Sequence, residues 1–104
     1  MSPNTDYIDQ LSNGDIAFRK RLIDLIKDEW PKEVDEYRTQ VTDENWEKAG
    51  SAVHKIKHKI SIFGLEEGYR IARQLEYQYK DGIDAPREHF DQVVEKITLY
   101  LKNL

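Results

Sequence analysis

Trp46, Ala49, Val53, Ile56, Ile60 and Phe63 recur at alternating intervals of three and four residues. At about 100° per residue they line up as one apolar stripe, so this segment is constrained to be a helix with a single buried face. His54 lies roughly 130° from the centre of that stripe and is read as facing water at mid-helix. Lys57 falls one turn further on, on the flank beside it. The histidine is not core.

The same rhythm returns along the rest of the chain. Tyr7, Ile8 and Leu11 give a short first helix one apolar edge, with Asn4 or Thr5 as its cap. It is too short to stand alone and must lean on a neighbour. Ser12-Asn13-Gly14 ends it, and Asp15 caps a second helix expected to run from about Asp15 towards Thr39. Phe18, Leu22, Leu25 or Ile26, Trp30, Val34, Tyr37 and Val41 supply its apolar face. Pro31 removes one ladder hydrogen bond, which predicts a kink or a brief break near Asp28 to Pro31, or else two helices meeting there.

Thr42-Asp43 reads as a turn with a capping residue ahead of the His54 helix, and Asp43, Glu44 and Glu47 suit that helix's positive end. Gly64 stops it in the left-handed conformation. A fourth helix follows almost at once, with Leu65, Gly68, Tyr69, Ala72, Leu75 and Tyr79 on one face. Gly68 there signals either a close approach of two backbones or a glycine tolerated in a first turn. Asp81-Gly82 closes that helix. Asp84-Ala85-Pro86 opens the last, with Pro86 in its first turn and Phe90, Val93, Val94, Ile97 and Leu101 facing inward. No segment has strand period, and there is no internal repeat or low-complexity tract. The expected class is all-α: an antiparallel up-down four-helix bundle with a short additional N-terminal helix, one domain over residues 1–104.

A chain 38% hydrophobic and 35% charged suits a helical domain with a small core. The net charge of −4 argues against wholesale binding to nucleic acid or an anionic membrane. With no cysteine, disulfides, thiolate metal sites and cysteine nucleophiles are excluded. There is no basic-plus-apolar leader and no apolar run near membrane-spanning length, so a cytoplasmic chain is expected. A Gly-rich nucleotide loop is also missing, so no use of ATP is expected.

The spacing His54, Lys57, Gly64, with the small Ala52 two places before the histidine, resembles the signature of histidine-phosphotransfer (HPt) domains of two-component phosphorelays, here in stand-alone form. The flanks resemble the family too, in Asn13-Gly14-Asp15 opening the second helix and in the pair Leu75-Glu76. One departure is plain. The family usually has glycine directly after the lysine, whereas this chain has His58, a bulky side chain at the turn a partner's backbone would approach.

The resemblance implies a phosphocarrier rather than an enzyme. It would accept a phosphoryl group on His54 from a receiver-domain aspartate and pass it to another receiver, acting as a monomer with no cofactor of its own. Magnesium would belong to the receiver, and by the same resemblance the outer nitrogen, Nε2, would carry the phosphate. The residues suit this. An ordinary imidazole is partly neutral near pH 7, with a lone pair for attack, and Lys57 can hold phosphoryl oxygens by charge-assisted bonds. Lys55, Lys59 and His58 add local positive charge that suits an acidic receiver pocket, although lysines on a helix often only solubilise it. Ser61 shares the His54 face and either touches the phosphate or is solvated. Ile62 either packs under the first helix or joins Ile8 and Leu11 in an apolar docking patch. His54 and His58, one turn apart, form a pair that can chelate a metal. Further ligands are needed, and no Glu or Asp is found on this face, so no metal is expected. The alternative function is a non-catalytic helical bundle that binds receivers without phosphotransfer.

Overall fold

The helical rhythm is realised in five α-helices in the computed structural model, which describes residues 2–104. They are α1 (Asp6–Ser12), α2 (Ile16–Thr42), α3 (Trp46–Ile62), α4 (Glu66–Lys80) and α5 (Glu88–Lys102). Among the described residues there is no strand. At 1.5 Å per residue the 27 residues of α2 span about 40 Å, nearly the whole 44 Å long axis of the molecule.

Contacts between helices fix an antiparallel up-down order. On α2 and α5, Trp30 Nε1–H donates to Thr98 Oγ1 at 2.9 Å, while Tyr37, a turn and more further along α2, donates its hydroxyl to Asp91, earlier in α5, at 2.6 Å. On α3 and α4, Gly50 lies against Lys80 near the end of α4, whereas Ile60 lies against Gly68 near its start. Ile26, Trp30, Val34, Ala49, Val53, Ile56, Ile60, Ala72, Leu75, Phe90, Val94 and Ile97 form the buried centre between these four helices. Trp46 stacks on the buried Tyr79 with ring centroids 5.3 Å apart, closing one end of the α3–α4 seam.

Three boundaries differ from expectation, each for a local reason. Helix α2 runs unbroken through Pro31. Pro31 is exposed while Trp30 and Val34 on either side are buried, so packing holds the helix and the carbonyl freed by the proline lies on the solvent side. The α3 cap is Asn45, whose Oδ1 accepts from the Lys48 amide, because α2 continues through Thr42. Pro86 precedes α5 by two positions instead of lying in its first turn.

The other caps follow the sequence. Asp15 Oδ1 accepts from the Phe18 amide at 3.0 Å at the start of α2. At the end of α3, Gly64 has φ +76°, its N–H donates to Ser61 O, and Leu65 N–H donates back to Ile60 O. That pair of bonds is a Schellman closure, which favours a residue without a Cβ at the left-handed position. Helix α1 docks beside this turn: the Asn4 amide donates to Phe63 O at 3.0 Å, the Asn4 side chain caps α1 at the Asp6 amide, and Ile8 is fully buried. Gly68 does mark a close approach, but to side chains: a Cβ there would meet Val93 Cγ1 at 2.9 Å and Ile60 Cγ2 at 3.1 Å.

Candidate functional site

His54 stands at mid-length on α3 with its side chain 45% exposed, on the face opposite the apolar stripe. Its ring is held from below by Glu76 of α4. The Nδ1 atom lies 2.8 Å from Glu76 Oε2. The carboxylate is 3% exposed and is held down at about 2: burial pushes it up, but contacts from Lys57, Lys80 and His54 outweigh that. An ionised carboxylate can only accept, so the proton of this bond is on His54 Nδ1. The neutral ring therefore has its lone pair on Nε2, the outer nitrogen.

Two ammonium groups share the same carboxylate. Lys80 Nζ donates to Oε2 at 2.7 Å, and Lys57 Nζ lies 2.9 Å from Oε1 as an ion pair without hydrogen-bond alignment. Lys57 is 9% exposed, with its ammonium 5.6 Å from the centre of the Tyr69 ring, whereas Lys80 is 43% exposed. Two cations and one carboxylate leave this cluster with a net positive charge beneath the histidine, in a chain that is acidic as a whole. The arrangement suits an anionic group arriving at Nε2.

His58, exposed one turn along α3, turns its Nε2 to within 3.1 Å of His54 Nε2, the two rings meeting edge to face at 88°. Ser61 is exposed two turns beyond His54 on the same face, and Lys55 is exposed on the neighbouring one. Lys57, on the flank beside His54, is buried over Glu76. Of the remaining residues, Lys59 and Ile8 depart from expectation. Lys59 is 140° of helix rotation from His54. It points to α2, where Nζ lies 2.9 Å from Glu33 Oε2 and 3.2 Å from Glu29 Oε1, so its charge is spent away from the histidine face. Ile8 is fully buried and cannot join a docking patch, while Leu11 is half-exposed and Ile62 packs against the core.

Sequence reasoning also placed no acidic group near His54, because Glu76 comes from another helix, 22 residues away. A signal for it was present. Glu76 falls one turn after Ala72 and one turn before Tyr79, a single carboxylate on the buried stripe of α4, and such a group has to find cations. Lys80 and Gly50 were missed for the same reason. Among the described residues no group of three or more His, Asp or Glu side chains is placed to hold a metal ion, and no helix is long and apolar enough to cross a membrane.

The site is thus a half-exposed imidazole on a helical bundle, fixed by a buried carboxylate and flanked by lysines. In the comparison with known families, the Hpt domain family of histidine phosphotransfer modules matches residues 21–104, most of the chain, and the protein is a member of it. Its role is accordingly phosphotransfer in two-component signalling, in which Hpt domains act as phosphocarriers for receiver domains and not as kinases. No curated relative and no solved structure matches the chain.

Proposed function

We propose that His54 is the phosphoacceptor of a phosphorelay intermediate, loaded by the aspartyl phosphate of one receiver domain and discharged to the aspartate of another. The observation that carries this reading is the Glu76–His54 Nδ1 contact at 2.8 Å, which leaves the attacking lone pair on the solvent-side nitrogen. In loading, Nε2 attacks phosphorus, the P–O bond to the donor aspartate breaks, and its electron pair leaves with that carboxylate. The ring becomes a phosphoimidazolium whose positive charge is shared with Glu76 through the retained Nδ1–H. In discharge the acceptor carboxylate attacks phosphorus and the N–P pair returns to Nε2. Any magnesium needed belongs to the receiver, and the chain acts as a monomer with no cofactor and no nucleic acid of its own.

Lys57 contributes by holding the carboxylate that orients His54 and by its positive charge. Lys80, half-exposed, supplies the ammonium with freedom to reach a phosphoryl oxygen. Ser61, Lys55, Leu11 and Gly64 lie on or beside the face a receiver would cover. A single contact favours the alternative of a bundle that binds receivers without transfer, namely His58 against the attacking nitrogen.

Incubation with a phosphorylated receiver, followed by acid and alkali treatment of the labelled chain, decides between them. Acid-labile, alkali-stable label that disappears in His54→Gln is the expected result. Receiver binding without label, or label that persists on His58 in that variant, overturns the assignment. The variant keeps an amide able to donate to Glu76, so its stability should stay within about 1 kcal/mol of wild type.

A further inference from the structure

The contact between His58 and His54 has one consistent proton arrangement when the two rings are neutral, the state in which His54 can attack. With His54 neutral and its proton on Nδ1 against Glu76, Nε2 can only accept, and the 3.1 Å contact is then a hydrogen bond when His58 Nε2 carries the proton. His58 therefore donates into the very lone pair that has to attack phosphorus. While it does so the nucleophile is occupied. It is exposed, and rotation about its own side-chain bonds is enough to release Nε2.

The same donor acquires a new acceptor once a phosphoryl group is on Nε2. His54 Nε2 then has no lone pair to give, and the phosphoryl oxygens project into the space beside His58 Nε2. An N–H donor one helical turn away, on a side chain long enough to touch the bare nitrogen, can meet one of them.

Resting on the assignment of His54 as acceptor, we propose that His58 is an exchangeable cap on the phosphoacceptor. It masks Nε2 in the free protein and holds a phosphoryl oxygen in the loaded one. It thus slows loading and prolongs the loaded state, which favours a carrier that stores the group between encounters. His58 is a positioning residue here, forming no bond to phosphorus.

Phosphoramidate as donor tests this without any receiver, so that steric effects of His58 on docking play no part. The P–N bond of the donor breaks, its nitrogen leaves as ammonia with a proton taken from solvent, and the N–P bond to His54 forms. Loading rate and lifetime of the phosphohistidine are measured for wild type, His58→Ala and His58→Gln, the glutamine amide keeping a donor at similar reach. His58→Ala is expected to load roughly threefold to tenfold faster and to lose its phosphoryl group faster by a similar factor, the equivalent of one net hydrogen bond. His58→Gln should return both rates towards wild type, which a merely structural role would not require. Equal rates for wild type and His58→Ala, slower loading by His58→Ala, or a change in one rate without its counterpart would each overturn the cap while leaving His54 as acceptor. Wild type that takes no label on His54 removes the acceptor assignment, and the cap with it.

Discussion

Gly50 of α3 lies directly against the backbone of Glu76 in α4: a Cβ on Gly50 would stand 3.2 Å from the Glu76 carbonyl oxygen. It would also meet the Lys80 amide nitrogen at 3.2 Å and Lys80 Cγ at 2.9 Å. The absent side chain sets how closely α4 approaches one turn before His54, and so sets the reach of Glu76 to the imidazole. Gly50→Ala gains about 1 kcal/mol in helix propensity but overpacks a backbone contact at a cost of roughly 1–3 kcal/mol. A net loss of about 1 kcal/mol is expected by urea denaturation, together with a perturbed His54 ring signal in NMR. A more stable variant would show that the two helices separate freely.

Glu76 holds three partners, and its removal leaves the buried Lys57 ammonium without a counter-charge. Glu76→Ala should therefore cost about 3 kcal/mol, the lower end of what breaking a buried pair costs. Glu76→Leu combined with Lys57→Met should recover most of that loss, since an apolar pair replaces an ionic one of similar size. Strictly additive losses would mean that the pair is not coupled.

The same carboxylate fixes the His54 tautomer. Nitrogen NMR of wild type should find the proton on Nδ1, and Glu76→Gln, which weakens a charge-assisted bond by about 1.4 kcal/mol, should slow loading roughly tenfold. A His54 ring with its proton on Nε2 in wild type would contradict the bond as described.

Acid should reveal Glu76 through stability. Its folded-state pKa, about 2, is below the ordinary value of 4.5, so the unfolded chain binds the extra proton first as pH falls. The contribution is complete above about pH 4.5 and is lost between there and about pH 2, up to a value on the order of 3 kcal/mol. Stability measured across that window should fall more steeply for wild type than for Glu76→Gln. Parallel curves would exclude Glu76 as the source.

Lys59 offers a contrast with the His54 face. Lys59→Met leaves the half-buried Glu33 without its cation and should destabilise the bundle by about 1–3 kcal/mol, with phosphotransfer unchanged. Slower transfer at full stability would put Lys59 back at the docking surface.

Helix positions and inner faces were legible in the sequence because both depend on neighbours within one or two turns. The three-and-four rhythm from Trp46 to Phe63 placed Ala49, Val53, Ile56 and Ile60 in the core and turned His54 outward, while local signals placed Asp15 at the cap of α2 and Gly64 at the left-handed turn after α3. Tertiary structure alone decided what stands opposite each flank. Whether Lys57 points into solvent or onto a carboxylate, and whether Lys59 serves α2 or the histidine face, depends on which helix packs beside α3 and how closely. That spacing is set by Gly50 against Glu76, 26 positions apart in the chain, a distance no local periodicity spans. Pro31 shows the converse: a strong local breaking signal yielded to Trp30 and Val34, whose burial against the rest of the bundle keeps α2 in one piece.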